Sequence, residues 1–191
     1  MRLLPVSFGV ALYLLMSLAH ASDRDLIIVA LNNSIDKFQL AANSRLLDWQ
    51  QLIESHRNSS VKKKLSWVNT FFNKVHYQTD EKLWGKTEYW ATPIELLMLN
   101  QGDCEDYAIA KYFTLRAMGV PAEQLRIVYV HSLSLKQAHM VLMYKSKNEL
   151  LVLDNAEEHI KSFIDRKDLV PVYSFNSLFL WLPDKSGGEE R

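Results

Sequence analysis

The sequence predicts an α+β domain in which N-terminal helices and a central cysteine-bearing helix pack on an antiparallel sheet. Three observations carry this. Apolar residues in the first half recur at helical spacing. The stretch Cys104–Met118 is apolar nearly all round, as a helix in the middle of a domain must be. The second half divides into short runs rich in Val, Leu, Ile, Tyr and Met, with polar breaks between them.

At the N-terminus, Arg2 precedes an apolar run from Val6 to Leu18 and then Ala19-His20-Ala21. That is a secretion signal over 1–21 with a cleavage site after Ala21. The alternative is an uncleaved anchor, but the run falls short of the ~20 residues that span a bilayer. The domain is then expected over 22–183, with a disordered tail over 184–191.

Between Asn43 and His56, Leu46, Leu47, Trp49, Leu52 and Ile53 suggest a helix. From Val61 to Val75, Val61, Leu65, Val68, Phe72 and Val75 step by fours and threes, which is one buried stripe. Gly85 and its polar neighbours read as a loop. In Thr92-Pro93-Ile94-Glu95, Thr92 is an N-cap, Pro93 fits the first helical position and Glu95 closes a capping box, so a short helix should reach Leu99. Gly102 breaks the chain before the cysteine helix, whose end is marked by Gly119 and Pro121. Strands are expected at Leu125–Leu133, His139–Lys145, Glu149–Asp154 and Leu178–Leu182.

Composition narrows the function. The 191 residues suffice for one domain with a sizeable core. Lys+Arg and Asp+Glu are 22 each, for a net charge of zero. That balance argues against nucleic acid or an anionic membrane surface as the main partner.

Cys104 is the one cysteine. It cannot form an internal disulfide, and it opens a helix, where the dipole favours a thiolate. It is a candidate nucleophile; the alternative is a small buried hydrophobe. A nucleophilic thiol needs a base and a group to orient that base. His56, His76, His131, His139 and His159 follow the leader. If Lys147-Asn148 is a two-residue turn, His139 lies opposite Ala156 and Val141 opposite Asp154. His139 and Asp154 then share a face as diagonal neighbours, roughly 7–8 Å apart at Cα, within reach of a hydrogen bond. The cysteine helix would pack on that same face with its N-terminus over the rim of the sheet, with Cys104 as nucleophile, His139 as base and Asp154 as its orienter; the alternatives are a histidine that only packs and ordinary turn residues at Asp154-Asn155. The Cys104 backbone N–H is a candidate oxyanion donor, because first-turn amides are free.

Asp103, Glu105 and Asp106 surround the thiol, and their negative charge raises its pKa. A bound cation would offset this, and an all-oxygen ligand set suits Ca²⁺. The alternative is that these acids simply belong to a first helical turn, with Asp103 as N-cap. Trp84, Tyr89 and Trp90 cluster just before the catalytic segment, either as anchors for a partner or as lining of the core or cleft.

Tyr89-Trp90-Ala91-Thr92-Pro93, Gly102-Asp103-Cys104-Glu105-Asp106-Tyr107-Ala108, Gln137-Ala138-His139-Met140-Val141-Leu142, Leu153-Asp154-Asn155 and Pro171-Val172-Tyr173-Ser174-Phe175-Asn176 resemble the bacterial transglutaminase-like cysteine proteinases. The resemblance covers about Leu65 to Leu182. It implies a papain-like, transglutaminase-type fold with a catalytic Cys104, His139 and Asp154. It also implies calcium held by Asp103 and Glu105, with Asp106 as an addition. It further implies a periplasmic endopeptidase that clips the N-terminal region of a large repeat adhesin, releases it from the cell surface and ends biofilm attachment. An inner-membrane receptor for cyclic di-GMP would sequester the enzyme. Two other classes stay open: an acyltransferase on the same fold, and a binding module without turnover.

Overall fold

The computed structural model describes residues 25, 27, 28, 40–183, 189 and 190. The expected leader, 1–21, lies outside the described residues, as do 184–188 and 191 of the expected tail. Among the described residues from Leu40 onward, five α-helices and nine strands follow in order. They are α1 (Leu40–His56), α2 (Val61–Phe72), β1 (His76–Tyr77), α3 (Asp80–Trp84), α4 (Pro93–Leu99), β2 (Gln101–Gly102) and α5 (Cys104–Ala117), then β3 (Leu125–Ser132), β4 (Gln137–Lys145), β5 (Leu150–Leu153), β6 (Lys161–Ser162), β7 (Leu169–Phe175), β8 (Leu180–Pro183) and β9 (Glu189–Glu190).

The C-terminal half is a seven-stranded sheet in the order β6-β5-β4-β3-β7-β8-β9, antiparallel throughout. The helices cover one face. Ile127, Met140, Leu142, Leu153 and Phe175 turn towards them and join Leu46, Trp49, Leu65, Val68, Phe72, Ala108 and Leu115 in one core. Val128, Val130, Val141, Val152 and Leu169 form a smaller cluster on the other face. Strict alternation along β3 and β4 produces this division.

Helix α5 is buried on every side, with only Cys104, Phe113 and Arg116 partly exposed. Polar groups packed against it find partners: Trp49 Nε1 donates to Thr114 Oγ1 at 2.8 Å, and Lys64 Nζ donates to the Met118 carbonyl beyond the helix end at 2.7 Å. Helix α4 begins as its sequence requires. Thr92 accepts the Glu95 N–H, and Glu95 accepts the Thr92 N–H, a reciprocal box.

Several boundaries differ from the sequence expectation. Helix α2 stops at Phe72, because His76–Tyr77 pair in parallel with Gln101–Gly102, yet Val75 remains in the core. Helix α3 occupies part of the expected loop, from N-cap Thr79 to Gly85, whose φ of 65° ends it. Strands β1, β2, β6, β7 and β9 fall outside the expected strands, and β9 pairs with β8 within the tail expected to be disordered.

Gly102 sits where no side chain fits. A Cβ there would lie 2.5 Å from Leu96 Cδ1 and 2.6 Å from Asp106 Oδ2. Gly102→Ala is expected to lower stability by about 1–3 kcal/mol, measured by chemical denaturation.

Candidate active site

The β4–β5 hairpin has the register expected from its turn: Leu142 opposes Leu153 and Lys145 opposes Leu150. His139 and Asp154 consequently meet, with His139 Nε2 2.7 Å from Asp154 Oδ1. Both are buried. The bond occupies Nε2 and leaves Nδ1 as the ring nitrogen free for a thiol.

The body of the cysteine helix lies on the face opposite to the one the sequence reading expects, while its N-terminus comes to the rim of the sheet as expected. Val130, opposite His139, belongs to the cluster facing away from the helices, and alternation puts His139 on that side too. Helix α5 packs on the other face, against Met140 and Leu142. Its N-terminus reaches β4 at Met140. The β5 ladder ends at the Leu142–Leu153 pair, and beyond it the Met140 N–H acts on the Cys104 sulfur. The thiol therefore reaches the sheet at the residue after His139, at the open edge of the strand. Alternation was legible in the sequence; the direction of helix approach is tertiary.

Asp154 is a poised acceptor. Oδ1 also takes the Ala156 N–H at 2.9 Å. Oδ2 takes Arg166 Nη2 at 2.9 Å. Burial pushes its pKa up, but the His139 bond and charge, the Ala156 amide and Arg166 outweigh burial and hold it at about 2. Arg166 was not singled out from the sequence, where it stands in an unremarkable Asp165-Arg166-Lys167-Asp168 run. It clasps Asp168 through Nε and Nη2, both at 2.9 Å. Arg166→Met would strand the Asp154 charge in the interior. A loss of about 3 kcal/mol is expected, read from thermal or denaturant unfolding.

Around the sulfur the field is negative. Cys104 Sγ donates to Glu105 Oε2 at 3.1 Å. Burial first, then the charge and hydrogen bond of Glu105 and the charge of Asp103, push the thiol pKa far up; the Met140 amide works against them. The sequence supplied the like charges but not the burial. Tyr77, on β1, lies within the field of Cys104, Asp103 and Glu105, and its phenol is also raised, burial being the largest cause.

The acidic residues form two groups that share Asp80. Asp80, Asp103 and Asp106 can offer oxygens within 4.8 Å of one another, as can Asp80, Glu88 and Glu105. Asp80 was missed, although Thr79 and Gly85 bracket it with ordinary helix start and stop signals. Burial pushes Asp80 up to about 6, Asp106 to about 7 and Glu105 to about 10, and Asp103 rises for the same reason. Backbone amides offset part of this: Tyr89 N–H bonds Asp80, and Ala91 N–H bonds Asp106 Oδ1 at 2.7 Å. Asp106 Oδ2 also accepts the Asp103 N–H at 3.2 Å, so Asp106 caps the helix as well. Asp80 Oδ1 and Asp103 Oδ1 are buried with no hydrogen-bond partner. Crowded carboxylates with orphaned oxygens and no nitrogen or sulfur ligand fit a hard cation such as Ca²⁺.

Trp84, Tyr89 and Trp90 are half-buried. Trp84 packs against Tyr89 with ring centroids 4.2 Å apart, and Trp90 stacks on Phe175 at 5.8 Å.

A helix that delivers a lone thiol to the edge of an antiparallel sheet, beside a buried histidine, defines a class: the cysteine proteinases of α+β architecture. Residues 47–168 match the family model described as bacterial transglutaminase-like cysteine proteinase. The chain belongs to that family. Among solved structures it is similar to LapG from Legionella pneumophila, at 44% identity and a TM-score of 0.74 over 81% of this chain and 87% of that one. A calcium-bound LapG matches at 44% identity and 0.75, over 85% and 91%. An EGTA-treated LapG matches at 42% and 0.76, over 85% and 89%. No curated protein matches the chain.

Proposed function

We propose that this cysteine proteinase is a calcium-dependent periplasmic endopeptidase whose catalytic groups are Cys104, His139 and Asp154. The observation that carries the reading is the 2.7 Å His139–Asp154 bond at the strand edge where the Cys104 sulfur meets the Met140 amide. Cys104 attacks the scissile carbonyl as His139 Nδ1 takes its proton. A thioester forms, and the amine leaves with that proton. A water activated by His139 then cleaves the thioester and restores the thiol. Asp154 holds the tautomer and stabilises the imidazolium. The Cys104 N–H, free in the first turn, is aimed to serve the oxyanion.

Asp80, Asp103, Glu105 and Asp106 would hold the calcium, which would neutralise the field that keeps the thiol protonated. The calcium-bound and EGTA-treated forms of LapG support a cation in this family. The leader over 1–21 supports periplasmic action. The substrate is the N-terminal region of a large repeat adhesin, whose cleavage releases it and disperses a biofilm. The inner-membrane partner is a cyclic di-GMP receptor that sequesters the enzyme. Both rest on the family resemblance.

The test is incubation with an N-terminal adhesin fragment from the same organism, with and without Ca²⁺. Two defined products that appear only with calcium are expected. A new isopeptide bond would make the protein an acyltransferase, and tight binding without turnover would make it a binding module.

A further inference from the structure

Asp154 stands just past the end of β5, and its backbone has left the sheet ladder. What holds the segment that follows is helix α2. Asn73 Nδ2 donates to the Asp154 carbonyl at 2.9 Å and to the Glu157 carbonyl at 3.2 Å. Asn69 Nδ2 donates to the Glu158 carbonyl at 3.1 Å. The two asparagines are four residues apart and so lie on one helix face.

Behind Asn69 stands Lys111, which is wholly buried on α5. It lies about two turns beyond Cys104, on the same side of that helix. Its Nζ donates to Asn69 Oδ1 at 2.8 Å. With its oxygen taken by Lys111, Asn69 turns its NH₂ to the 154–158 segment. A lysine here is costly. Burial pulls its pKa down to about 7 against the opposing pull of Asp154. A methionine would fill the space without that cost. Packing alone thus gives no reason for this residue, whereas orienting Asn69 does.

We propose that Asn69, Asn73 and Lys111 are positioning residues for Asp154: the helical layer fixes the backbone from which the carboxylate reaches His139. The inference rests on the reading of Cys104, His139 and Asp154 as the catalytic groups. Arg166 holds the carboxylate itself, and the clamp on α2 holds the chain that carries it.

The experiment compares Asn73→Ala and Lys111→Met with the wild-type protein. Two readouts are needed. One is the proton resonance of His139 Nε2–H in histidine-labelled protein, which reports its bond to Asp154 and needs no substrate. The other is the split between kcat and KM on the adhesin fragment. Asn73→Ala should shift or broaden the His139 signal and lower kcat about tenfold, with KM unchanged within about twofold. Lys111→Met should move both in the same direction. An unchanged His139 signal and kcat, with only a lower unfolding midpoint, would overturn the proposal. If Lys111→Met does not fold, Asn73→Ala decides, since Asn73 is a half-buried helix end. If the wild-type protein cleaves nothing, the protease reading fails, and the His139 signal still reports on the clamp.

Discussion

Cys104→Ala is expected to abolish peptide cleavage, by at least about 10⁴-fold in kcat, while the protein stays folded. No other thiol exists in the chain to substitute for it. The change removes one sulfur at the first position of α5, where alanine is a better helix former. The helix is anchored along its length by buried neighbours and not by the thiol. Circular dichroism and an unfolding curve like those of the wild type, together with loss of both adhesin products, would be the expected pair of results. Continued cleavage by the variant would remove Cys104 from the chemistry.

Demetallation is expected to have the second large effect. Two acidic groups overlap at Asp80 near the thiol, and among the described residues no salt bridge reaches them. Treatment with EGTA should stop cleavage, and added Ca²⁺ should restore it. Calcium at a hundred times its dissociation constant should also raise the unfolding free energy by about 2.7 kcal/mol. Asp80→Asn should weaken that stabilisation, because Asp80 belongs to both acidic groups. Full activity in thoroughly demetallated protein would leave Asp103 and Glu105 as helix-start residues only.

Local chemistry made much of this site readable. The Thr92–Glu95 box, the apolar cysteine helix and the two-residue turn at Lys147-Asn148 each act within a few residues, and each appears where expected. The His139–Asp154 bond followed from the turn alone. What stayed hidden depends on distant partners. Strand β7 contains Pro171, which reads as a break; the structure seats it at an irregularity where the β3–β7 register shifts. Arg166 and Asp80 carry no motif of their own, and their partners are fixed only by the fold. Even Asp103, Glu105 and Asp106, close in sequence, divide between the two acidic groups, Asp103 and Asp106 in one and Glu105 in the other.

The groups of the proposed site and those that hold them come from far-apart stretches: the start of α5, the β4–β5 hairpin, the Arg166 turn and the asparagines of α2 and its C-cap. No contiguous fragment holds them all, and contacts of such long sequence separation form late in folding. A chain still being synthesised therefore carries Cys104 before His139, Asp154 and Arg166 have been added to it. The thiol gains its proposed partners only when the last of these segments has joined the fold.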